Sequence, residues 1–445
     1  MNLKPAKSRS LVMVKGRLMD VQPFKVGDVE IPSIQRKPVK ALGRTIDATL
    51  SDKVRKDELE VMINEDIKAL KKSDLTGVMK VWAYEFMMLP RMGWRLMLYE
   101  IPMTWVERVE AKINSQLRMW LGISKNTTDV ALFCPESPCA LPLRSLSKEF
   151  KKIKTNATMQ LIQSADESVS QNFKVNTSRK WKVSDAVGRA EGRIQMMKIT
   201  GQTQSSRAGF GFFKKEEVPR PSTQAYRKAV TQLVGKEEDE KLFIKAVQQG
   251  VQGSWTKWQK IIRRDMSWNS MLTKSPRLIN FALSATYDTV ASPVNKKRWG
   301  LAEDDKCDLC EKERCDVKHV LSGCSVALTQ GRYRYRHDAV LRQLSHNIAQ
   351  SINYINNSKL QQKPKGIQFV REGEEVKKKA KLESGLLRDA RDWNIDVDLD
   401  KQLKFPPEIT TTKQRPDIVI KSPETKRVIL IELTCPSEEN FEARQ

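Results

Sequence analysis

Four residues restrict the fold of this chain more than any others. Cys307, Cys310, His319 and Cys324 follow the pattern C-x2-C-x8-H-x4-C within 18 residues. Two thiols on a tight turn, then an imidazole and a thiol roughly one helical turn apart, suit a tetrahedral Zn²⁺ site. Three thiolates and one imidazole fill every coordination position, so zinc held there is structural and not catalytic. Cys315 lies between the two pairs as either a spare ligand or a bystander, and His337 is a second imidazole farther along. The competing reading is four residues in a fold that needs no metal.

The rest of the composition sets the context for that site. A length of 445 residues suits about three domains. Seven cysteines, four of them in the metal-spaced group, fit a reducing compartment better than a disulfide framework. No signal peptide and no apolar run of about 18 residues is present, so no membrane partner is expected. The 79 Lys and Arg against 54 Asp and Glu leave a net charge of +25. Such an excess favours a polyanionic partner, nucleic acid above all, and no small-molecule substrate is expected.

Taken in order, the chain reads as mainly α with small β elements. Ser10 to Val14 is strand-like up to Lys15-Gly16, and Phe24/Val26 with Val29/Ile31 about Gly27-Asp28 reads as a hairpin. Residues 50–72 carry Leu59, Met62, Ile63, Ile67 and Leu70 at helical spacing. Residues 76–100 read as two helices broken at Pro90. Residues 103–121 give one apolar stripe ending at Gly122, with Arg108 and Lys112 off the stripe. Those two cations face either solvent or a phosphate backbone. Leu146 to Ile162 is another basic helix. Residues 166–224 are expected to be a flexible basic linker, with Gly201 to Lys215 a tether or a base-contacting loop. Residues 225–300 look helical, with Trp255, Trp258 and Trp268 expected in one aromatic cluster.

After the cysteine–histidine group comes Gly331-Arg332-Tyr333-Arg334-Tyr335-Arg336-His337-Asp338. Alternating arginine and tyrosine suits phosphate contact and base stacking, and equally suits a surface packed on the zinc lobe. Lys377 to Lys381 marks an exposed charged linker. Near the C-terminus, Ile418–Ile420 and Val428–Leu433 read as short strands carrying Asp417 and Glu432, with 14 residues between them. Two carboxylates on a hairpin can hold one Mg²⁺ for phosphodiester hydrolysis.

Together these residues resemble the C-terminal half of the polyprotein of non-long-terminal-repeat retrotransposons with a restriction-enzyme-like endonuclease. Lys4-Pro-Ala-Lys-Ser-Arg9 looks like the late palm of the reverse transcriptase. Trp82-Ala-Tyr84, Leu89-Pro90-Arg91 and Tyr99-Glu-Ile-Pro102, through Trp120-Leu-Gly122, look like its thumb. Cys307, Cys310, His319 and Cys324 with the Arg/Tyr segment look like the zinc knuckle. Arg415-Pro-Asp417 and Glu432-Leu-Thr-Cys-Pro436 look like the endonuclease core. The resemblance implies the following layout: palm end 1–35, helical thumb 36–165, linker 166–224, helical domain 225–300, knuckle 301–346, charged linker 347–385, and a partial α/β nuclease of the PD-(D/E)xK kind from 386 to 445. It also implies element RNA and target DNA as partners, structural Zn²⁺, Mg²⁺ at the nuclease, and a nuclear site of action after cytoplasmic synthesis.

The chain departs from that family at both catalytic centres. No Tyr-x-Asp-Asp occurs, and Asp304-Asp305 stands in the wrong context before the knuckle. Thr434 holds the place where restriction enzymes carry lysine, and the chain stops at Gln445 before the helix that carries it in the retrotransposon relatives. The expectation is therefore a retrotransposon fragment that binds nucleic acid, without polymerase activity and with an incomplete nuclease. The alternative is a non-catalytic zinc-dependent nucleic-acid-binding remnant.

Overall fold

The computed structural model describes the chain except for residues 1–3, 21–23, 42, 50, 178, 201–202, 207–208, 213–222, 259–262, 264, 358–384, 388–389, 402 and 436–445. The charged run Lys377 to Lys381 lies outside the described residues, as do residues 201–202, 207–208 and 213–215 of Gly201 to Lys215, and Pro436. Among the described residues the fold is mainly helical, with 54% helix and small antiparallel sheets. It divides into two compact units, Met1–Val290 and Ala291–Gln445.

The first unit opens with three two-stranded hairpins. These are β1 (Val12–Val14) with β2 (Arg17–Met19), β3 (Phe24–Val26) with β4 (Val29–Ile31), and β5 (Val39–Ala41) with β6 (Arg44–Ile46). Gly16 and Gly27 adopt positive φ at two of the turns, a conformation that costs glycine nothing. Lys15-Gly16 is thus a hairpin turn, not merely the end of a strand.

The helices follow in order: α1 (Lys53–Lys72), α2 (Gly77–Ala83), α3 (Leu89–Leu98), α4 (Met103–Leu121), α5 (Val130–Phe133) and α6 (Leu146–Ile162). Next come α7 (Glu167–Asn172), α8 (Val183–Thr200), the β7 (Thr203–Ser206) and β8 (Gly209–Phe212) pair, α9 (Gln224–Gln248), α10 (Trp268–Thr273) and α11 (Pro276–Thr286). Between α2 and α3 the helix continues as a π turn, Tyr84–Met88, and Pro90 sits in the first turn of α3. The expected break is therefore a change of helical pitch. The π turn just before Pro90 re-routes the ladder at the point where proline cannot donate a backbone hydrogen bond. The stripe of α4 is buried through Val106, Val109, Ile113, Leu117, Trp120 and Leu121, and Gly122 ends it in the left-handed conformation.

The centre of this unit is α6, which packs against α3, α4, α8 and α9. Two of its lysines pair with acidic residues of α9. Lys148 Nζ lies 2.6 Å from Asp239 and Lys151 Nζ 2.5 Å from Glu238. From α8, Arg189 and Arg193 reach Glu237 at 3.2 Å and Glu240 at 2.8 Å. The acidic run of α9 thus neutralises two neighbouring helices. The expected linker at 166–224 is corrected over α8, because Val183, Ala186, Val187, Ala190 and Ile194 belong to the core. Trp255 stacks edge-on to Tyr287 at 6.2 Å, whereas Trp268 meets Phe86 at 5.3 Å, so the expected aromatic cluster is split in two.

The second unit holds α12 (Pro293–Arg298), the cysteine-rich loop, α13 (Ser325–Thr329) and α14 (Arg334–Asn357). Its sheet comprises β9 (Asn394–Val397), β10 (Ile418–Ser422) and β11 (Arg427–Ile431), in the order β11-β10-β9, antiparallel throughout. Leu341 and Ile352 of α14 join Trp393, Ile418 and Ile420 in one core. Alternation along β10 sends Ile418 and Ile420 to the helix side, as a strand period of two requires.

Candidate metal centre

The cysteine-rich loop brings its four predicted ligands together. The ligand atoms of Cys307, Cys310, His319 and Cys324 all lie within 4.8 Å of one another. Cys307 Sγ is 3.9 Å from Cys324 Sγ, and Cys310 Sγ is 3.4 Å from His319 Nε2. Zn–S bonds of about 2.3 Å and a Zn–N bond of about 2.0 Å set tetrahedral edges of about 3.8 Å and 3.5 Å. These two distances match those edges, and the four side chains could hold a zinc ion. Among the described residues no other group of three or more such ligands forms.

Local backbone explains why this spacing works. The Glu311 N–H donates to Cys307 O at 2.8 Å and the Cys307 N–H to Lys312 O at 3.0 Å, which closes the first turn and turns both thiols inward. His319–Gly323 forms a π turn whose start is held by Asp316 Oδ1 accepting from the His319 N–H at 2.7 Å. Cys324 follows directly as the extended C-cap of that turn. Burial opposes ionisation of Cys307, but the amides of Leu309 and Cys310 donate to its sulfur and bring its pKa down to about 6. Burial, then the neighbouring Cys307, pushes the Cys315 thiol up to about 12. Cys315 stands outside the ligand group as a buried protonated thiol, and His337 is likewise elsewhere.

The Arg/Tyr segment divides between several roles. Tyr333 belongs to the metal centre: its hydroxyl accepts the Cys324 N–H at 3.0 Å and lies 3.2 Å from the carbonyls of both His319 and Val320. This corrects its expected place in base stacking, since the phenol is turned into the knuckle. Arg336 is also drawn inward, donating from Nη2 to Cys435 O at 2.6 Å. Tyr335 is 82% exposed, and Arg332 is exposed with its Nε on Gln330 Oε1 at 2.7 Å. Arg334 is half-buried at the start of α14.

Arg108 and Lys112 are both directed at Glu60 of α1, at 2.6 Å and 3.3 Å, with Trp105 Nε1 donating to the same carboxylate at 3.0 Å. The expected phosphate-facing flank of α4 is thus partly neutralised by a neighbour that helix periodicity in one segment cannot reveal. A groove of about 690 Å³ between α6 and α9 instead presents Lys152, Arg227 and Lys228 beside Asn156, Gln160 and Gln232. Sequence reading missed it, because its cations come from helices more than 70 positions apart.

At the C-terminal sheet, Ile418 pairs with Ile431 and Ile418 with Val397. One pair outward, that register sets Asp417 opposite Glu432 on one side and Asp398 on the other. Asp417 is buried, while Glu432 is exposed. Asp417 Oδ2 accepts the Leu433 N–H at 2.6 Å and lies 3.3 Å from His337 Nε2. His337 Nδ1 is 3.0 Å from Asp338 Oδ1, and its Nε2 is 3.2 Å from Leu433 O. Burial opposes its protonation, but the bond to Asp338 and the charge of Asp417 raise its pKa. Nothing in this arrangement supports the expected Mg²⁺ site. Asp417 already has an amide and an imidazole as partners, and among the described residues no group of three or more ligands includes it.

No protein-family model matches this sequence, and no curated protein matches it. Among the described residues no helix is long and apolar enough to cross a membrane.

Proposed function

We propose that this protein binds nucleic acid through cationic surfaces and a zinc-stabilised lobe, and that it derives from the C-terminal half of a retrotransposon polyprotein. The observation that carries this reading is the convergence of Cys307, Cys310, His319 and Cys324 to zinc-site spacing. Zinc there contributes a rigid frame, since a coordinated loop replaces an apolar core too small to fold alone. The four thiolate and imidazole ligands would hold the ion, and residues beyond it would contact the polyanion. Arg332 and Tyr335 lie within reach of solvent just past the last ligand. The net charge of +25 supplies the sequence-independent attraction to phosphate.

The same reading treats the α14–β9–β10–β11 unit as a restriction-enzyme-like remnant that does not cleave. A helix packed on an antiparallel meander, with an aspartate leading the middle strand and a glutamate opposite it, supports the nuclease ancestry. The hydrogen bonds that engage Asp417, and Thr434 in place of a lysine, weigh against cleavage. The resemblance makes element RNA and target DNA the partners to test, and the nucleus the place to look.

A gel-shift with duplex DNA and single-stranded RNA, run beside a supercoiled-plasmid nicking assay in Mg²⁺ or Mn²⁺, tests this reading. Binding without metal-dependent nicking is the expected result. Nicking that Asp417→Ala abolishes would replace it with an endonuclease, and absence of binding to either polymer would end it.

A further inference from the structure

The metal centre and the C-terminal sheet of the second unit are joined by one short segment, residues 324–337. At its knuckle end, the Tyr333 hydroxyl bonds the backbone at two ligands, the His319 carbonyl and the Cys324 amide. Three and four residues later, the first turn of α14 faces the opposite way. There Arg336 donates to Cys435 O, while His337 contacts Leu433 O and Asp417 Oδ2. Asp417 in turn accepts the Leu433 N–H at 2.6 Å. We propose that zinc in the knuckle fixes the end of the C-terminal hairpin through Tyr333, Arg336 and His337, which act as positioning residues for Asp417 and the 432–435 backbone. The proposal rests on the zinc reading above.

The physical argument is one of unequal anchoring. The knuckle core consists of Cys307, Cys315, Cys324 and Ala327, with Cys310, Val326 and Tyr333 packed on it. Three of these seven side chains are metal ligands, so without the ion apolar burial is too small to hold the loop. Tyr333 is then left without fixed partners. The first turn of a helix lacks intrahelical acceptors for its N–H groups and frays once its flanking anchors go. Farther along, Leu341 and Ile352 keep α14 on the sheet through Ile418 and Ile420. Loss of zinc therefore loosens the first turn of α14 and residues 432–435, and leaves the middle of β10 in place.

Backbone hydrogen exchange on the full chain, with zinc content measured on the same samples, tests this coupling. Chelation is expected to speed exchange of the Leu433 amide about tenfold, the scale set by the loss of one hydrogen bond, with Val419 and Ile420 unchanged. Tyr333→Phe is expected to keep one zinc per chain while Leu433 exchanges at the faster rate even with zinc bound. One zinc per chain with Leu433 unaffected by chelation overturns the coupling alone. Wild-type protection of Leu433 in zinc-loaded Tyr333→Phe overturns the route through the phenol. Absence of zinc from purified and zinc-supplemented protein overturns both the coupling and the zinc reading.

Discussion

Lys154 of α6 is 3% exposed, and its Nζ donates to the carbonyls of Met97 at 3.1 Å and Tyr99 at 2.8 Å. Burial lowers its pKa from 10.5 to about 8, outweighing the nearby Glu100 and Asp52. The folded chain thus binds fewer protons here than the unfolded chain between those two values, so stability rises with pH across that window. The full cost, on the order of 3 kcal/mol, is present below pH 8. Urea unfolding of wild type and Lys154→Met from pH 7 to 10.5 reads this as a difference that shifts in favour of wild type as pH rises. A flat difference would mean that the ammonium is not desolvated. The same side chain shows why α6 reads in sequence as a basic surface helix. Its lysine count is visible there, but the carboxylates and carbonyls that receive Lys148, Lys151 and Lys154 lie in other segments of the chain.

At the scale of elements, α2 meets α4 with no room to spare. A Cβ placed on Gly77 would come within 1.9 Å of the Trp120 carbonyl oxygen, a backbone atom that cannot swing aside. Gly77→Ala is expected to destabilise the first unit by about 3 kcal/mol through overpacking, measured as a lowered urea midpoint. Gly188→Ala in α8 meets nothing within 4 Å and serves as the control. Much of this level was legible in advance. The limits of α4 and α6 and the β3–β4 hairpin follow from periodicity and turn residues. The four metal-centre residues were legible because thiol and imidazole spacing encodes a local geometry. What the sequence hid were non-local pairings: Glu60 on Arg108 and Lys112, Tyr333 on the knuckle backbone, and His337 on Asp417. The core role of α8 was hidden too, because its Gly188, Gly192 and polar residues dilute the apolar stripe.

For the whole molecule, the surplus positive charge predicts how binding responds to salt. The logarithm of the binding constant should fall linearly with the logarithm of salt concentration, as displaced counterions require. Replacing Lys152, Arg227 and Lys228 together with alanine should reduce that slope by roughly two, about one each for Arg227 and Lys228, since Glu149 at 2.9 Å already offsets Lys152. Replacing Arg108 and Lys112 should change it by less, because Glu60 already offsets part of their charge. Equal slopes for the two variants would remove the groove between α6 and α9 from the binding surface.

The most direct measurement is zinc stoichiometry in the purified chain and two cysteine variants. One zinc per chain in wild type and in Cys315→Ser, with loss of zinc in Cys310→Ser, is the predicted result. It follows from Cys310 lying in the ligand group and Cys315 standing beside it as a protonated thiol. A chain without zinc, or one that keeps it in Cys310→Ser, would contradict the account.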